Sequence, residues 1–362
     1  MKQDAGFIIS FLNNNFKKHN IFIMNITKII LSILFIIIIS GFISCKKETA
    51  VIDQSVKPLK IGLVFDVGGR GDKSFNDAAH KGLERAKKTF GIDFEEIDPG
   101  DGSDRESALR KLASKPEIGL IFGIGFIFTE DITKIAIDFP NKKFGCIDYT
   151  VDPNRTIPNN LIALVFKEDE GSFLVGAIAG LLTKTNSVGF VGGMESALIK
   201  KFENGYKQGV KYINKDCKIL TAYVSVTGEG FKNPGKAKEI ATSQYSNGAD
   251  IIYHASGLSG LGVFEAAKEN KKLAIGVDMD QYIEAPGFVL TSMTKQVDEV
   301  IYQTIAELKD GKFSNGIKSL GLKEKGVDYV YDDYNKNLIP EKTREKIEEI
   351  RNKIISGEIK IK

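Results

Sequence analysis

The sequence predicts an α/β fold of two lobes, each an open parallel sheet with helices between its strands. Three observations carry this reading. Short apolar runs of strand length alternate with amphipathic runs of helix length. The strand-like runs end in glycine-rich or acidic turns, as at Asp66, Gly68, Gly69 and Gly71. The alternation also runs twice, from residue 60 to about 161 and again from 188 to 277, without a fixed repeat period. Past the amino-terminal leader roughly 300 residues remain, enough for two cores of about 150 each.

The leader is residues 1–44. Lys28 precedes an apolar run at 29–39, small residues come next, and the run closes on Cys45 and Lys46-Lys47. A positive region, an apolar region and small residues before a cysteine make a lipoprotein signal, with Cys45 the lipidated residue. Met24 is an alternative start, and an uncleaved anchor is the rival reading, although the run falls short of the ~20 apolar residues a span needs. Either form places the rest of the chain on the extracytoplasmic side of a membrane. The formal charge of +3 belongs mostly to this leader. The remainder of the chain is near neutral and gives no reason to expect nucleic-acid binding. Residues 45–59 read as a polar tether.

The expected elements run in this order. Residues 60–65 form a strand that ends at Asp66, and 78–90 a helix. Strand 92–97, helix 103–114, strand 118–124 and helix 129–139 come next, and strand 143–147 ends at Asp148. In a parallel sheet both aspartates lie at the carboxyl edge, where ligands of such sheets bind. Phe75, just before the first helix, offers an apolar face to the same space. An acid and an aromatic there suit a small polar ring compound better than a phosphate, and the P-loop lysine pattern is missing. The bland alternative has Asp66 cap the turn and Phe75 pack in the core. Strand 161–166 leads into a buried helix, 172–182. The second cycle has strands at 188–191, 219–224, 251–254 and 273–277, with helices at 200–213, 235–246 and 263–270. A strand at 289–293, a helix at 297–308, strand-like pieces within 321–331 and a charged helix at 343–355 complete the chain.

Other chemistries find little support. The glycines at 257–262 have the wrong order for a dinucleotide fingerprint, although Asp278 stands at a suitable distance. Arg70-Gly71-Asp72 spells an integrin-type tripeptide, a common chance match. No Gly-x-Ser-x-Gly elbow occurs. Three histidines and no C-x-x-C motif argue against zinc. Cys146 and Cys217 read as small core residues, and a disulfide between them is not supported by spacing. No cofactor is expected, and the strand-end residues are suited to holding a ligand rather than reacting with it.

With those residues in view, the chain resembles the basic membrane protein family of purine nucleoside receptors, lipoproteins that feed ABC transporters. The resemblance rests on DKSFN (72–76), EGSFLVG (170–176), VGFVGGM (188–194), GLSGLGV (257–263), IGVDMDQY (275–282) and VLTSMTK (289–295). It implies two Rossmann-like lobes of the type I periplasmic-binding-protein architecture, joined by a hinge and closing on one nucleoside. Lobe 1 would comprise 60–163 plus about 282–318, and lobe 2 164–281 plus about 319–335, with a C-terminal helix in 336–362. By resemblance Asp66 and Asp148 hold the base, Phe75 and Phe231 sandwich it, Met194 and Gly257 form pocket wall, and Asp278 and Lys295 hold the ribose. The implied partners are a purine nucleoside, an ABC permease and the membrane. The alternative is a surface adhesin that binds host proteins.

Overall fold

The computed structural model describes residues 59–100 and 103–362, so the leader, Cys45 and most of the tether lie outside the described residues. The first cycle consists of β1 (Lys60–Val64), α1 (Phe75–Phe90), β2 (Asp93–Ile97), α2 (Arg105–Ala113), β3 (Ile118–Ile124), α3 (Thr129–Asp138), β4 (Lys143–Ile147) and β5 (Leu161–Phe166). After α4 (Glu168–Leu182) the second begins: β6 (Ser187–Met194), α5 (Ala197–Ile213), β7 (Lys218–Ser225), α6 (Pro234–Ser246), β8 (Ile251–Ala255), α7 (Gly260–Asn270), β9 (Leu273–Asp278) and β10 (Val289–Lys295). Then come α8 (Val297–Lys309), β11 (Gly316–Leu320), β12 (Val327–Tyr329) and α9 (Glu341–Ile355).

These strands build two six-stranded sheets, ordered β11-β5-β4-β3-β1-β2 and β12-β10-β9-β8-β6-β7. The first is parallel throughout, and the second is parallel except for β12, which runs antiparallel to β10. The central strands are buried along their length, as continuous apolar runs covered by helices on both faces require. Helix α4 is buried from Gly171 to Gly180, which matches its glycine- and alanine-rich sequence.

The lobe boundaries differ from the sequence reading. β10 pairs with β9, so 289–295 belongs to the second sheet rather than the first. β5 continues through Phe166 in the first sheet, beyond the expected break at 163. The chain leaves β5 and β10 for α4 and α8 with one intervening residue each, whereas the passage from β11 to β12 runs through a turn between Gly321 and Gly326. β11, to which the sequence reading gave no element, completes the first sheet beside β5. α8 packs on α1, with Phe90 and Tyr302 stacked at 5.0 Å between centroids. Cys146 and Cys217 are buried free thiols.

Candidate functional site

The carboxyl edges of the two sheets face one cavity. Asp66, Phe75, Asp148, Phe231, Gly257, Asp278 and Lys295 all line it. Met194 does not. It sits half-buried at the end of β6, and its neighbour Gly193 is the residue that meets Phe231. A Cβ on Gly193 would stand 2.4 Å from the Phe231 ring, so the ring occupies the room the glycine leaves.

Asp66 follows β1 and is 7 % exposed. Its backbone N–H donates to Asn76 Oδ1 at 2.9 Å, and its own Oδ1 accepts from Val67 N–H at 2.7 Å. Burial pushes its carboxyl up to about 7; the Val67 bond opposes this and Asp148 adds to it. Gly125, at φ +112°, makes room for this carboxylate: a Cβ there would fall 2.1 Å from Asp66 Oδ2. The cap at the start of α1 is supplied instead by Asp72, which accepts from the backbone N–H groups of Ser74, Asn76 and Asp77.

Asp148 and Asp278 stand at equivalent strand ends, and both adopt left-handed backbone, at φ 61° and 65°. Such geometry in non-glycine residues costs roughly 1–3 kcal/mol and clusters at ligand sites. Asp148 Oδ2 accepts from Lys295 Nζ at 2.6 Å. Its Oδ1 is buried with no hydrogen-bond partner. Asp278 Oδ2 accepts from Ser74 Oγ at 2.5 Å. Burial raises the Asp278 pKa, against Lys295 and the Ser74 bond.

Lys295 is 2 % exposed. Burial disfavours its charge, but Asp148, Glu168 and Asp278 outweigh that and raise its pKa. The ammonium also lies 4.5 Å from the centroid of the Phe75 ring, 5.3 Å from that of Phe166 and 5.5 Å from that of Phe202, an aromatic cage that favours a cation. Glu168, at the start of α4, approaches it at 3.7 Å. Burial pushes the Glu168 carboxyl up to about 7. The cavity is thus lined by several acids around one cation, and one acceptor atom, Asp148 Oδ1, stands open.

Residue-level reading missed Phe126, Leu198, Phe202 and Ser256 in the cavity wall. Phe126 follows a strand end and was findable by the same edge rule as Asp66. Phe202 was visible only as part of the helix stripe, which cannot tell cavity from core. A larger groove, about 1020 Å³, lies between α8, the β11–β12 connection and α9, but charged side chains such as Lys323, Glu324, Lys325 and Arg351 line it. Among the described residues no cluster of His, Cys, Asp and Glu is placed to hold a metal, and no helix is long and apolar enough to cross a membrane.

Residues 59–362 match the family described as Bmp, ABC transporter substrate-binding protein PnrA-like. The chain belongs to this family. It is 37% identical over 340 residues to basic membrane protein A of Borreliella burgdorferi, covering 92% of this chain and 94% of that one. It is 34% identical over 313 residues to an uncharacterized lipoprotein of Pyrococcus abyssi, covering 83% and 75%. Among solved structures, a solute-binding protein of an ABC transporter system from Aeropyrum pernix superposes with a TM-score of 0.75 at 31% identity, covering 84% of this chain and 93% of that one. This protein is therefore a Bmp-family substrate-binding protein of the ABC transport type, with the two-lobed architecture of its relatives.

Proposed function

We propose that the cavity captures a purine nucleoside for delivery to an ABC permease. The observation that carries this is the convergence on one cavity of Asp66 and Asp148 from the first lobe, Asp278 and Lys295 from the second, and Phe75 and Phe231 as aromatic walls. A carboxylate accepts paired bonds from adjacent ring N–H and amino groups, or from vicinal ribose hydroxyls. The open Asp148 Oδ1 calls for a ligand donor. Aromatic faces add about 0.5–1.5 kcal/mol per stacked pair beyond burial. On this reading Asp66 and Asp148 hold the base, Asp278 and Lys295 hold the ribose, and lipidated Cys45 tethers the protein outside the cytoplasm. The names of relatives, a basic membrane protein and a lipoprotein, agree with that tether.

The adhesin reading loses its motif. Asp72 of Arg70-Gly71-Asp72 is 1 % exposed, and its carboxylate is occupied by the turn it caps. The test is calorimetric titration with inosine, guanosine, adenosine, free bases and ribose. Nucleosides are expected to bind, and Asp278→Ala is expected to weaken them by about 10- to 100-fold, as loss of hydrogen bonds to a charged group implies. Ribose binding as tightly as whole nucleosides would turn the reading to a sugar receptor.

A further inference from the structure

We propose that Gln281 is a latch that holds the two lobes closed, and that the cavity wall orients it through His254. The proposal rests on the two-lobed binding fold and not on which ligand fills it. Gln281 is 1 % exposed and follows the strand end that carries Asp278. Its Oε1 lies 2.7 Å from Val277 N and 3.1 Å from His254 Nε2. A backbone N–H can only donate, so the atom facing Val277 is the oxygen, and the amide has one orientation. Its Nε2 then donates across the cleft to the Lys73 carbonyl, at 2.9 Å.

The same logic fixes the histidine. Because Oε1 accepts, His254 Nε2 carries the proton, and Nδ1 accepts from Ser256 Oγ at 3.2 Å. His254 is fully buried, and burial lowers its pKa to about 4, which keeps it neutral. Ser256 lines the cavity. The donors therefore run one way: Ser256 to His254, His254 to Gln281, Gln281 to the first lobe. Lys73 holds φ 55°, left-handed in a residue with a side chain. The next residue, Ser74, makes a second bond between the lobes, to Asp278. The two bonds differ in kind. Asp278 belongs to the cavity lining, whereas neither Gln281 nor Lys73 does, so the Gln281 bond survives when a ligand engages the pocket residues.

The test is Gln281→Glu in the full chain. The glutamate keeps acceptors for Val277 N–H and His254 Nε2–H but faces the Lys73 carbonyl with an oxygen instead of a donor. Small-angle scattering without ligand is expected to show a larger radius of gyration than the unsubstituted chain. Stopped-flow release of inosine is expected to quicken roughly tenfold, the upper range for one hydrogen bond. Identical scattering profiles from two folded proteins would overturn the latch. Failure of inosine to bind the unsubstituted chain would count against the nucleoside reading alone, since scattering still decides the latch. Should the variant not fold, ¹⁵N-histidine spectra of the unsubstituted chain decide: a neutral Nε2–H tautomer at His254 supports the assignment, and an Nδ1–H tautomer reverses the amide and overturns it.

Discussion

The two lobes repeat one scaffold and exchange its chemistry. Their sheets match strand for strand, β1 with β6, β4 with β9 and β5 with β10. The left-handed Asp148 and Asp278 occupy the same place in each. Along the strand pairing from there, Asp66 corresponds to Gly193, and Phe166 to Lys295. Where the first lobe sets a carboxylate, the second sets a glycine with the Phe231 ring against it. Where the first lobe sets an aromatic, the second sets the buried cation. A repeated fold therefore specifies where side chains enter the cavity, and single substitutions at those places decide what the cavity holds.

The largest way to break this asymmetry is to remove the cation. Lys295→Met leaves Asp148 buried without its counter-charge and Glu168 with Lys201 alone, and breaking a buried pair in this way costs about 3–5 kcal/mol. Urea denaturation at pH 7 is expected to show that loss. It should shrink at pH 5, where Glu168, pushed up to about 7, takes a proton.

The second substitution neutralises the first lobe's acid. Asp66 has a folded pKa raised from 3.8 to about 7. The folded state thus binds more protons than the unfolded one between those values, and the contribution of Asp66 to stability falls as pH rises through that window. Asp66→Asn is expected to equal the parent near pH 4 and to exceed it by roughly 2–4 kcal/mol at pH 8, at one pKa unit per ~1.4 kcal/mol. Equal pH–stability curves for the two proteins would show that the acid is not held protonated by burial.

Smaller effects are expected from the second lobe's counterpart. Gly193→Ala places a Cβ against the Phe231 ring and is expected to weaken inosine binding by roughly tenfold, the scale of one lost aromatic stacking contact. Met194→Ala, one residue on and outside the cavity, is expected to change it by less than about twofold, as substitutions away from a site do. A larger effect of Met194 than of Gly193 would reverse the strand correspondence.

Much of this was legible in the sequence. Strand-end rules placed Asp66 and Asp148 at one edge before any resemblance was invoked, and alternation gave the two sheets. The resemblance named Phe231, Gly257, Asp278 and Lys295, which line the cavity, and Met194, which does not, since neighbouring positions on a strand point to opposite faces. Pairing across the cleft was not legible. Nothing in the sequence joins Lys295 to Asp148 or Gln281 to Lys73, since those contacts span 147 and 208 positions. The assignment of β10 to the second sheet was hidden for a related reason: its apolar pattern is the same whichever sheet it joins.

The pairing of β11 with β5 has a consequence for how the molecule is made. Gly316–Leu320 closes the edge beside Leu161–Phe166, so the first sheet stays unfinished until almost the whole chain has been synthesised. Until then β5 offers unpaired backbone groups, the kind of edge that recruits other chains. Long-range closure of this sort is also slow. A chain cut short before residue 316 would therefore be more than an incomplete receptor. It would expose an apolar strand able to template aggregation, and a nascent chain needs protection of that strand from the synthesis of Phe166 until that of Gly316.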